Sequence, residues 1–294
     1  MVNPLPVNQL LVNRIPLTAT TDPRHGGRWT GLRGGGREWF WHRRCPARDT
    51  VRPGDAFVDV GGLEECLPTV RGTPDHGDAW SRPWRRDGGT DVLDHPDFVL
   101  RRALRQDPSG ALRASYHLSA DPGYRFLWAA HALLDVGPGA RLLAPAGTAT
   151  RVFPEAALLI DRPWPANAPH LTGPWPTPLG LPLDRLGPDD GTAVGAVLTD
   201  CAEVSVVDGP DTLHLALRAD TDVPVSVALW RNLGGYPAIG PYRSIGVEPM
   251  LGAVLDLAEA DEGDAAVVPA AGDLRWELTV TAHRTPSPSC EGTR

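Results

Sequence analysis

Glycine and proline recur so often along this 294-residue chain, 32 and 31 times, that few stretches are left for an extended helix. Punctuation this dense favours many short strands joined by turns. The segments between the breaks agree with that. Leu112 to Ser119 and Leu274 to Ala282 alternate apolar with polar residues, as a half-buried strand should. Val194 to Leu198, Val204 to Val207, Thr212 to Leu217 and Val225 to Trp230 follow one another at even spacing with turn residues between, as in a sandwich. The expected fold class is therefore all-β.

Arg24 to Trp41 reads as strand, glycine hairpin, strand, and alternation there places Trp39 and Trp41 on one face and Phe40 on the other. Gly34-Gly35-Gly36 lacks the Lys-Ser/Thr ending of a phosphate loop and no helical pattern follows it. Phe98 to Leu104 is too short for periodicity to decide between a strand and a helical turn. Asp161 to Pro188, rich in proline and carrying Trp164 and Trp175, is expected as a long ordered surface loop, because its aromatic residues need burial. One domain over residues 1–284 is expected, with 1–22 as an N-terminal arm and 285–294 as a disordered tail.

Charge and cysteine content narrow the function classes. A net charge of −8 speaks against a nucleic-acid backbone as partner, since that binding rests on a positive field. All 28 basic residues are arginine, and the pairs Arg43-Arg44, Arg85-Arg86 and Arg101-Arg102 read as solvated edges. Cys45, Cys66, Cys201 and Cys290 form no Cys-x-x-Cys pair and match no histidine spacing, so neither a metal site nor a disulfide framework is expected. With no signal-peptide pattern and no apolar run long enough to span a bilayer, a cytoplasmic protein without a membrane partner is expected. Oligomeric state is not legible.

Polar groups concentrate between Val58 and Trp84. A strand-like apolar run leads into Gly61-Gly62, then Glu64 and Glu65, and a few residues later His76 between Asp75 and Gly77. Each residue alone has an ordinary reading, with the glycines as a bulge, one glutamate in solvent and the histidine capping a loop. Together with His131, inside an apolar stretch, and Glu248, at the end of a strand-like run, they suggest a site. A histidine and a carboxylate in one cleft can pass protons in opposite directions, as opening and reclosing a ring requires.

The order of these blocks resembles the aldose 1-epimerase (galactose mutarotase-like) superfamily. The pieces that carry the resemblance are Gly26-Gly27-Arg28, Gly36-Arg-Glu-Trp-Phe-Trp41, Gly61-Gly-Leu-Glu-Glu-Cys-Leu-Pro-Thr69, Asp75-His-Gly-Asp-Ala-Trp80, Leu127-Trp-Ala-Ala-His131 and Ile245-Gly-Val-Glu-Pro249. The resemblance implies a large twisted antiparallel β-supersandwich that interconverts the α and β anomers of a hexose or related sugar without cofactor or metal. On the family pattern His131 is the general acid at the ring oxygen, Glu248 the general base at the anomeric hydroxyl, and His76 a further ligand to these oxygens. Glu64, Glu65, Asp78, Trp80, Arg82, Trp230 and Tyr236 are the candidate substrate-binding residues.

The chain departs from the family at two places. Members that act on galactose show Gly-Arg-x-x-Asn-Arg where this chain has Gly-Gly-Leu-Glu-Glu-Cys, and the Arg of the His-Gly-Phe-Ala-Arg block of hexose-6-phosphate epimerases is missing. Other readings of the same residues are an epimerase of a phosphorylated sugar, through Arg82, Arg85 and Arg86, a non-catalytic carbohydrate-binding protein, or a biosynthetic enzyme acting on a cyclic small molecule. Burial beside Phe126, Leu127 and Trp128 would leave His131 neutral at pH 7, so the acid role calls for a carboxylate near it.

Overall fold

The computed structural model describes residues 13–286, and they form two large antiparallel sheets packed on a shared core. One sheet runs in the order Arg141–Leu143, Glu203–Asp208, Asp211–Ala219, Asp273–Arg284, Leu112–Ala120, Phe98–Gln106, Thr90–Asp94 and Arg85–Asp87, with Asn13–Ile15 also paired to Asp273–Arg284. The other runs Leu171–Pro174, Ala149–Val152, Thr192–Leu198, Val225–Leu233, Arg243–Leu251, Trp128–Leu134, Gly62–Cys66, Arg28–Gly34 and Thr18–Asp22. Helical structure is confined to short 3-10 turns. Among the described residues no helix is long and apolar enough to cross a membrane.

The alternating segments fold as their patterns dictate. Leu112–Ala120 and Asp273–Arg284 pair with each other and bury every second residue. Phe98–Gln106 is a strand. Trp175 is buried within the proline-rich segment, which also supplies the strand Leu171–Pro174. Within the expected N-terminal arm, Asn13–Ile15 and Thr18–Asp22 each join a sheet. The earlier part of the expected arm and most of the expected tail lie outside the described residues.

Several local expectations are corrected. Val58 to Val60 is not a strand; the ladder begins at Gly62, the second of the two glycines. Trp39 and Phe40 both enter the core, since the chain leaves regular pairing after Glu38 and period-two alternation no longer holds. Glu248 lies inside Arg243–Leu251 and does not end it.

The largest surprise is Arg102, which is fully buried although it belongs to an apparently solvated pair. Its Nη1 donates to Glu65 Oε1 at 2.6 Å and its Nη2 to Asp91 Oδ2 at 2.9 Å. Glu65, from the other sheet, also accepts from Tyr116 Oη and Trp128 Nε1, each at 2.9 Å. Glu65 therefore faces the core between the sheets and is not a substrate ligand. Removing one member of such a cluster leaves an uncompensated buried charge. Arg102→Met should lower the unfolding free energy in urea by about 3–5 kcal/mol; a loss under about 1 kcal/mol would contradict the assignment.

Candidate active site

Three adjacent strands set a row of side chains across the outer face of the second sheet. The ladder pairs His131 with Glu64 on one side. On the other it pairs Ala129 with Met250 and Leu133 with Gly246, which brings Glu248 opposite His131. Residues directly opposed in an antiparallel pair share a face. His131 Nε2 and Glu248 Oε1 are 3.6 Å apart, and both side chains are buried. Space is kept for them by Gly246, where a Cβ would come within 2.3 Å of Glu248 Oε1.

His76 reaches the same place from a turn. Its φ of 62° and the φ of 70° at Gly77 fold the chain back on Leu67, and a Cβ at residue 77 would collide with the Leu67 carbonyl. The His76 ring meets that of His131 edge-on at 4.8 Å and stacks on Phe57 at 3.6 Å. Asp75 Oδ1 lies 3.2 Å from His76 Nδ1, although the angle is poor for a hydrogen bond.

These groups open into a cavity of about 730 Å³. Trp230 and Tyr236 line it, as do Arg43, Phe57, Asp59, Arg71 and Tyr242, which the sequence reading did not single out. Phe57 and Asp59 lie just before Gly61-Gly62 and Arg71 just after the Leu-Pro-Thr-Val run, so nearness to the glycine turn was the signal available. Tyr242 stacks on Trp41 at 5.2 Å, donates its hydroxyl to Asp59 and carries the Arg43 guanidinium over its ring. Arg71 Nη2 donates to Glu155 Oε1 at 3.0 Å.

The remaining candidates fall outside the cavity. Glu64 shares the His131 face but is covered by Arg48, which donates to both its carboxylate oxygens and to the Trp80 carbonyl. Burial pushes the Glu64 carboxyl up to about 7, against the pull of Arg48 and Arg28. Trp80 is buried behind Phe57, edge to face at 4.9 Å. Asp78 lies between Arg82, at 3.7 Å, and His95, at 3.4 Å. Arg85 and Arg86 sit on the edge strand of the other sheet, paired with Asp94 and Asp91. The cationic groups at the cavity are thus Arg43 and Arg71 and not the arginines that follow His76.

Electrostatics draw the titrations of His131 and Glu248 toward each other. Burial lowers the His131 pKa from its ordinary 6.5, with Glu248 opposing and His76 adding to the effect. Burial raises the Glu248 carboxyl from 4.5, with His131 and Arg71 opposing. The carboxylate that the acid role calls for is present, but desolvation outweighs it at both groups. In an NMR titration of the imidazole, His131 should therefore titrate below 6.5, and Glu248→Gln, which removes the charge that favours the imidazolium, should move the midpoint further down. An unchanged or higher midpoint would contradict this electrostatic picture.

The sequence matches no family model and no curated relative. Solved structures do resemble it. A protein of Synechocystis sp. PCC 6803 superposes with a TM-score of 0.66 at 15% identity over 97% of this chain and 100% of the other. A protein of Escherichia coli K12, provisionally named an aldose 1-epimerase, gives 0.64 at 12% identity over 93% and 99%. A galactose mutarotase related enzyme from Lactobacillus acidophilus gives 0.60 at 14% over 94% and 99%. The chain has the galactose mutarotase-like fold.

Proposed function

We propose that the protein is an isomerase of the aldose 1-epimerase type, acting on the anomeric centre of a sugar or sugar-like ring. The observation that carries the reading is the buried His131–Glu248 pair, 3.6 Å apart in the lining of a cavity, with His76 beside it. A cyclic hemiacetal opens when its anomeric hydroxyl loses a proton while its ring oxygen gains one. Glu248 is placed to take the first proton and His131 to give the second. The bond between anomeric carbon and ring oxygen then breaks, leaving an aldehyde. Rotation about the adjacent carbon–carbon bond and the reverse transfers close the ring as the other anomer.

A positioned acid and a positioned base each contribute roughly 10²- to 10⁴-fold. The fold of the mutarotase-like proteins and the convergence of His76, His131 and Glu248 support the same reading. The arginines that motivated a phosphorylated substrate stand away from the cavity and give that alternative no support.

The reaction needs one proton shared by the pair, and such coupled groups titrate as a unit. Activity should therefore be bell-shaped in pH. It should rise through an acid limb above 4.5, as the pair loses its second proton, and fall through an alkaline limb below 6.5, as it loses the last. Interconversion of a freshly dissolved single anomer, followed by NMR across a panel of aldoses, tests both points. Acceleration over buffer is expected, with kcat/KM falling as pH rises through an alkaline limb centred below 6.5. No acceleration for any aldose would sink the reading, and a rate flat to pH 8 would sink the roles given to the pair.

A further inference from the structure

The cavity is built for something less polar than a free hexose. Its volume of about 730 Å³ falls in the upper part of the roughly 300–1,000 Å³ typical of sites for drug-sized ligands. Beside the charged groups Arg43, Asp59, Arg71 and Glu155, its walls include Phe57, Leu133, Trp230, Tyr236, Pro237 and Tyr242. Trp230 is opposed in register to Gly246, two residues from Glu248 on the same strand, so the aromatic wall begins one step along the sheet from the reacting groups. Trp230 and Tyr236 meet edge to face at 5.7 Å. Tyr236 is 56% exposed, and Ile239, two residues past Pro237, is 92% exposed.

Several of the polar groups along these walls already have protein partners. Asp59 accepts from the Tyr242 hydroxyl and from the Gly61 amide. Arg71 is held by Glu155, which also accepts from the Gly195 amide. The Arg43 guanidinium lies on the Tyr242 ring, and Trp230 Nε1 donates to Ser244. A free hexose buried here would bring its ring hydroxyls and hydroxymethyl group against Phe57, Leu133 and Pro237, whose side chains offer no hydrogen bond. Each hydroxyl left unpaired costs about 1–3 kcal/mol. An apolar substituent gains from the same walls, at about 25 cal/mol per Å² removed from water.

We infer that the ligand of this site is a cyclic hemiacetal bearing a large aryl or alkyl substituent, held on the Trp230–Tyr236–Tyr242 wall while the hemiacetal faces His131 and Glu248. The substituent is not on the anomeric oxygen, because ring opening needs that hydroxyl free. It hangs from a ring position remote from the anomeric carbon. The inference rests on the isomerase reading for the placement of the hemiacetal, and two readouts keep them apart.

Calorimetry compares glucose with its benzoate ester at the primary hydroxyl, on the wild-type chain and on Trp230→Ala, and NMR anomer exchange is measured on the same samples. At least tenfold tighter binding of the ester is expected, with the preference reduced to about twofold in Trp230→Ala. Equal or weaker binding of the ester overturns the inference, even if glucose is turned over and the isomerase reading survives. Preference for the ester without acceleration of either compound upholds the apolar ligand class and overturns the isomerase. Failure of both to bind overturns both.

Discussion

The architecture turns on one buried ionic cluster. Arg102, from the strand Phe98–Gln106, reaches across the interior to Glu65 of the other sheet and back to Asp91 on its neighbouring strand. Burial alone would strip Arg102 of its proton more easily, but Glu65 and Asp91 hold its pKa above the ordinary value. The Trp84 ring covers the guanidinium at 4.9 Å. Charges are tolerated between sheets only when they are paired, and a register slip by one residue would turn Glu65 outward and leave Arg102 without it. The cluster thus specifies register at the strand beside His131, and Trp128, three residues before His131, donates to the same carboxylate.

Strand alternation carries that specification to the site. With Glu65 fixed inward, Glu64 must face outward, where Arg48 binds it and packs over Trp80 at 5.1 Å. Trp80 in turn supports Phe57, whose ring stacks on His76. The two adjacent glutamates therefore do different structural work, one tying the sheets together and the other anchoring the wall behind the cavity. Neither lines the cavity as the expected substrate ligand. On the inference drawn above, specificity lies with the aromatic residues Trp230, Tyr236 and Tyr242.

Much of the fold was legible because alternation is a local signal. The strands from Val194 to Trp230 and from Leu274 to Ala282 lie where their patterns put them. His76, His131 and Glu248 could be picked out because each is a polar residue in glycine-rich or apolar company, and all three line one cavity. Burial of Arg102 was not legible, since its partners, 11 and 37 residues away, are fixed only by strand pairing. Nor was it legible which of Glu64 and Glu65 faces inward, because a pair of carboxylates looks alike until register is set. Asp59 and Phe57 come from an irregular segment whose path has no periodic signature.

The account stands or falls on whether His131 and Glu248 act as one proton-transfer unit. The direct measurement is a double-mutant cycle on kcat/KM for anomer interconversion, with His131→Ala, Glu248→Gln and the two combined. Groups that work as a unit are strongly non-additive, so the double variant should be no slower than the worse single one. Losses that multiply in the double variant would show that the two residues act independently and would contradict the shared-proton mechanism.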